Sequence, residues 1–120
     1  GIEDPLMNTP TKDMLDEALQ YVQDDEFTLL LAHRPEMIEH YANAAVDVVF
    51  SGHAHGGQIR IPFVGGLVAP GQGLFPKYTS GRYDELDTTL YLSRGLGNSG
   101  MPFRVLNLPE ILVVELKKTK

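Results

Sequence analysis

With 120 residues, 42% of them hydrophobic, and no cysteine, the chain has the size and mix of one globular domain or part of one, and a disordered chain, a fibre, a disulfide scaffold and a thiolate metal site are excluded. Its net charge of −6 argues against bulk attraction to nucleic acid or an anionic membrane, and no apolar run approaches the roughly 18 residues of a membrane span. The charge is uneven, −9 up to Asp47 and +3 beyond it; the plain reading is an acidic, solvated helix face near the start, the sharper one that the later part handles an anion.

Thr9-Pro10 followed by Met14, Leu15, Ala18, Leu19 and Val22 places apolar residues at helical spacing, with Asp13 and Asp16 near the positive end of the dipole. A helix is expected from about Pro10 to Gln23. The continuous apolar run Phe27 to Ala32 is too short for a helix and reads as a strand buried on both faces, ending at His33. Pro35 opens a second helix with Met37, Ile38, Tyr41, Ala42 and Ala45 on one face and Glu36, Glu39, His40 and Asn43 on the other. Val46 to Phe50 is the next short strand, and it stops at Ser51-Gly52-His53-Ala54-His55-Gly56-Gly57.

Strand, helix, strand in this order is a βαβ unit with a parallel pair, and in such sheets ligands bind outside the carboxyl ends of the strands. Beyond Gln58 the texture changes: Gly52 to Pro109 holds 11 glycines and 5 prolines in 58 residues, against ordinary usage of roughly 12% for the two together. Short strands are expected at Gln58 to Phe63, Thr89 to Ser93, Phe103 to Leu106 and Ile111 to Leu116, with a glycine-rich turn from Gly95 to Gly100 and a frayed basic tail from Lys117 to Lys120. Phe75, Tyr78 and Tyr83, in the long segment from Pro62 to Asp87, read as packing residues ahead of groove residues. Neither a repeat nor a linker divides the chain, so residues 1–120 are one domain or part of one.

The topology brings His33 and His53 to the same sheet edge, with His55 two residues further on. Imidazole is the commonest protein ligand for zinc, iron and similar ions and binds only when neutral. An HxH pair on a turning backbone can share one ion or straddle two about 3.5 to 4 Å apart. The flanking Gly52, Gly56 and Gly57 would remove bulk beside such a site, though they equally suit a tight turn. His40, on a polar helix face, reads as a surface residue. Arg34 and Arg94 are candidates for meeting a phosphate with a guanidinium fork, and each suits an ion pair as well; Asn98, in the glycine-rich turn, is a third candidate and could instead cap backbone groups.

The runs Leu30-Leu31-Ala32-His33-Arg34-Pro35-Glu36, Asp47-Val48-Val49-Phe50-Ser51-Gly52-His53-Ala54-His55-Gly56-Gly57-Gln58 and Ser93-Arg94-Gly95-Leu96-Gly97 resemble the later half of the calcineurin-like metallophosphoesterases, in the bacterial branch of membrane-associated or cell-envelope phosphodiesterases. Gly1-Ile2-Glu3-Asp4-Pro5 and Pro109-Glu110-Ile111 extend the likeness over nearly the whole chain. The resemblance implies an α/β fold, the C-terminal half of a four-layered α/β/β/α sandwich, and a dinuclear site of manganese, iron, zinc or cobalt that hydrolyses phosphodiesters or pyrophosphates, lipid-linked ones among the candidates. It implies that His33 and His53 serve one ion and His55 the other.

The family's Asp-x-His, Gly-Asp-x-x-Asp and Gly-Asn-His elements are absent from these residues, and Gly97-Asn98-Ser99 is a decoy in the wrong order. The chain is therefore expected to be a C-terminal portion of the domain, inactive by itself, holding no metal or one ion, without the general acid, and prone to form a homodimer through surface bared by truncation. Two other readings stay open. One is a mononuclear zinc hydrolase using the three histidines, with Glu36 or Asp47 as conceivable base; the other is a catalytically silent interaction module.

Overall fold

The computed structural model describes residues 1–4, 10–98 and 103–118. Helix α1 runs Thr11–Leu19, one residue later at its start and four earlier at its end than the apolar spacing suggests. Pro10 stands just outside it and its carbonyl accepts the first helical bond, from Met14 N at 3.2 Å. Helix α1 buries Thr11 and Leu15, while Tyr21 and Val22 are exposed beyond its end.

Strand β1 is Leu29–Leu31, followed by a single 3₁₀ turn at Pro35–Met37 and helix α2, Ile38–Asn43. Ile38, Tyr41 and Ala42 face inward as expected and His40 faces water. Ala45 does not extend the stripe. It turns left-handed at φ 55°, Ala45 N donates to Ala42 O at 3.0 Å, and Val46 N reaches back to Tyr41 O at 3.2 Å. This is a Schellman stop made with alanine where glycine is usual.

Strand β2, Val48–Ser51, then pairs parallel with β1, which establishes the expected βαβ unit. Two small hairpins follow, β3 (Arg60–Ile61) with β4 (Gly65–Gly66) and β5 (Val68–Ala69) with β6 (Gly73–Leu74). Strand β7, Gly81–Glu85, turns back into β8, Thr88–Leu92. The main sheet has the order β1-β2-β8-β7, with β1, β2 and β8 parallel and β7 antiparallel at the edge.

The register aligns Leu30, Val49 and Leu90 in one row across the sheet, 4%, 0% and 0% exposed. That row packs under α1 and α2 with Leu15, Ile38, Tyr41, Val46 and Leu92. Burying side chains of this size contributes about 1.5–3 kcal/mol each, so this single layer of contacts carries the fold. The opposite row, Leu31, Phe50 and Tyr91, is different: Leu31 is 59% exposed, and Phe50 and Tyr91 stack on each other at 5.6 Å, half-buried. Strand β1 is thus buried on one face and not two, because among the described residues no second layer covers this side of the sheet.

The later strand expectations fare unevenly. Thr89 to Ser93 corresponds to β8, whereas Gln58 to Phe63 shrinks to β3. Phe103 to Leu106 is reduced to one parallel bridge, Ile59 to Val105, and Ile111 to Leu116 forms no strand. Ser99, Gly100, Thr119 and Lys120 lie outside the described residues. Tyr78 and Tyr83 pack edge to face at 5.0 Å, as packing residues should, but Phe75 is exposed.

Candidate metal centre at the carboxyl edge of the sheet

Parallel alignment of β1, β2 and β8 puts three chain exits at one edge: Ala32-His33 after β1, Gly52-His53 after β2, and Ser93-Arg94-Gly95 after β8. The exits are tied together. Ala32 N donates to Phe50 O at 3.1 Å, Ser51 Oγ to Ala32 O at 2.7 Å, and Ser93 N to Ser51 O at 3.0 Å. The consequence is that the His33 and His53 rings meet, with centroids 4.3 Å apart and planes inclined at 52°.

His53 Nε2 is buried and has no hydrogen-bond partner among the described residues. Burial pushes the His53 pKa down from its ordinary value, and the neighbouring His33 and Arg34 push it further the same way. Near neutral pH this side chain is therefore an uncharged imidazole with an unspent ring nitrogen, the form in which histidine binds metal. These side chains have the donor chemistry of metal ligands: two imidazoles meet, one with a buried nitrogen unbonded among the described residues, and a carboxylate lies near the pair.

That carboxylate is Asp4, which the sequence reading left without a role. Ile2 N donates to Leu31 O at 3.1 Å, laying the first residues along the end of β1. Asp4 Oδ2 then comes within 3.7 Å of His33 Nε2, while Arg34 Nε donates to Asp4 Oδ1 at 2.6 Å. Nothing in the spacing announces a contact across 30 residues.

His55 belongs to the same loop yet is not part of a closed cluster. Among the described residues no three histidine or carboxylate side chains converge closely enough to hold an ion by themselves. The convergence expected of all three imidazoles is thus observed for the pair His33 and His53. The loop itself is strongly constrained: His53, His55 and Gln58 have φ of 63°, 47° and 51°, and Gly56 and Gly57 are left-handed too. Gly56 and Gly57 are glycines of necessity, since a Cβ would run into Asn107 Oδ1 and into Gly66 Cα respectively. Gly52 has open space around it and removes no bulk.

The arginine candidates prove to be engaged within the chain. Arg34 is buried, and besides Asp4 it donates to Glu36 Oε1 at 3.2 Å; Tyr41 OH donates to Arg34 O at 2.7 Å. Arg94 donates to Glu110 Oε1 at 2.9 Å, and its own backbone N–H reaches Glu110 Oε2 at 3.1 Å. Each fork would have to exchange a carboxylate for a phosphate to touch substrate. Asn98 is exposed. Asp47 is at the wrong edge for a base: it precedes β2 and its Oδ2 accepts from Thr28 N at 2.6 Å and Thr28 Oγ1 at 2.8 Å.

Sequence comparison reaches the same region of protein space. The chain is 36% identical over 119 residues to the uncharacterized metallophosphoesterase YkuE of Bacillus subtilis, an alignment covering 99% of this chain and 40% of that protein. It is 39% identical over 104 residues to an uncharacterized metallophosphoesterase of Helicobacter pylori, covering 85% of this chain and 26% of the relative. With the phosphodiesterase YaeI of Escherichia coli the identity is 35% over 88 residues, 73% of this chain and 32% of that protein. The chain thus spans about two fifths or less of the length of these relatives. No family model and no solved structure matches the chain.

Proposed function

Because this chain belongs to the calcineurin-like metallophosphoesterases, we propose that it supplies the imidazole side of a dinuclear phosphoesterase centre, the remaining ligands coming from the rest of the domain. The observation that carries the reading is the His33 and His53 ring pair with its unpartnered, buried Nε2. His33 and His53 would hold one ion and His55 the other; the absence of a three-residue cluster among the described residues favours this division over a mononuclear three-histidine site. When bound, such ions polarise phosphoryl oxygens and bring the pKa of water from 15.7 to about 7.

The chain's own residues prepare for that chemistry. Burial keeps His53 uncharged, so no proton needs to leave before a ligand bond forms. Arg34 fixes the Asp4 carboxylate beside the first imidazole, and Asn98 is the residue we assign to the substrate's phosphoryl or leaving-group oxygens. Arg34 and Arg94 enter the same assignment only through partner exchange. The substrate class is a phosphodiester or pyrophosphate, with lipid-linked forms included.

The uncovered row of Leu31, Phe50 and Tyr91 supports a four-layered sandwich whose second sheet is contributed by residues outside the chain, and a homodimer as the state of the chain in isolation. The reading is tested with the full natural reading frame and with residues 1–120 alone, each supplied with Mn²⁺ and bis(p-nitrophenyl) phosphate. Turnover is expected from the former, abolished by His53→Ala, and none from the latter. Rapid metal-dependent hydrolysis by residues 1–120 alone would contradict it.

A further inference from the structure

The loop that carries His53 and His55 is held from the far end of the chain. Asn107, 3% exposed, donates from Nδ2 to the carbonyl of His55 at 2.6 Å and to that of Gln58 at 3.1 Å. Those two carbonyls bracket the run of left-handed residues from His55 to Gln58. L-residues avoid this conformation, and it persists only where surroundings over-determine it. Arg104 adds a second hand: its Nη2 donates to Arg94 O at 2.6 Å and lies 3.5 Å from His55 O, while Nη1 donates to Gly95 O at 2.9 Å.

Backbone contacts fix the height of the clamp. Val105 N donates to Gln58 O at 3.2 Å and Arg60 N to Val105 O at 2.9 Å. Asn107 Oδ1, buried and without a hydrogen-bond partner among the described residues, rests against the face of Gly56 where any Cβ would collide. A buried amide of this kind is costly to keep, so its retention needs a reason beyond filling space. A carbonyl-binding amide aimed at both ends of a strained loop is such a reason.

We infer that Asn107, seconded by Arg104, is a positioning residue that locks the loop bearing His53 and His55 in its left-handed course and so sets where the imidazole of His55 is presented. The inference deepens the metal-centre reading proposed above and rests on it for its functional consequence. Asn107 touches no substrate; it acts through the loop.

The test uses the full natural reading frame, purified metal-free, as wild type, Asn107→Ala, Asn107→Asp, Arg104→Lys and the control Arg82→Ala on the exposed face of β7. Amide exchange is followed at Gly57 and Gln58, whose N–H groups bond to Ala54 O at 2.8 Å and His55 O at 3.1 Å. Co²⁺ titration reads affinity and the ligand-field spectrum. Asn107→Ala and Asn107→Asp should speed exchange at those two amides while leaving β2 and β8 protected, lower Co²⁺ affinity about 10-fold or more, and alter the spectrum. Arg104→Lys, the milder change, should move the same readouts less and covers the case in which the Asn107 variants do not fold. Wild-type exchange and a wild-type Co²⁺ spectrum in Asn107→Asp would overturn the inference. Should wild type bind no Co²⁺, the metal reading fails on its own, and the exchange data still decide whether the clamp exists.

Discussion

Up to Ser51 the described chain is regular, with Ala45 its single left-handed residue; from Gly52 onward seven non-glycine residues are left-handed, and six glycines besides Gly56 join them. The two regions hold their shape by different means. The first, with β8, relies on one apolar layer in which Leu30, Val49 and Leu90 are sealed by two helices. The second has almost no apolar layer and is held by side chains that capture carbonyls, namely Asn107, Arg104 and Arg60, and by the Arg94 and Glu110 pair. The histidines stand at the border between the two, at strand ends on one side and against the clamped loop on the other.

The sharpest way to separate the regions is Leu90→Ala, which opens a void in the sealed layer and should cost about 2–5 kcal/mol in urea unfolding. A loss below about 1 kcal/mol would mean that the layer does not carry the fold. Gly56→Ala probes the loop instead. A methyl group there meets Asn107 on a left-handed backbone, and a cost of about 1–3 kcal/mol is expected, with the damage confined to amides near the histidines.

Weaker still is the tie between the glycine-rich turn and the C-terminal segment. The hydrogen bond from Arg94 holds the Glu110 carboxyl below its ordinary value of 4.5, outweighing its partial burial. A depressed carboxylate contributes stability that is complete above the unfolded-state value and fades as pH falls through the folded one. Wild type should therefore hold an advantage of about 1 kcal/mol over Glu110→Gln that is constant near neutral pH and is lost on acidification below about pH 4.5. Parallel pH profiles for the two proteins would show that the pair does nothing for the fold. The smallest effect has the opposite sign: Ala45→Gly relieves the left-handed alanine that ends α2 and should stabilise by about 0.5–1 kcal/mol in the same unfolding assay.

How far these features can be read from sequence follows the same division. The βαβ unit was legible because apolar runs of strand length flank an amphipathic helix, and the parallel topology then forces His33 and His53 together. Strand β7 was not: Gly81-Arg82-Tyr83-Asp84-Glu85 has no apolar run and owes its pairing to β8 beside it. The reverse holds at Ile111 to Leu116, an apolar run rich in strand-favouring residues that forms no strand. Asp4 and Asn107 were invisible for a third reason. Each acts across 30 to 52 residues through one polar group, which leaves no periodic trace.

The division of labour at the site can be tested most directly by counting ions. The full natural reading frame, loaded with Zn²⁺, desalted and weighed by elemental analysis, should hold two ions per chain, and His53→Ala should hold about one fewer while keeping the amide protection of β2 and β8. An unchanged zinc content in His53→Ala would contradict the assignment of the His33 and His53 pair as the metal-binding edge of the sheet.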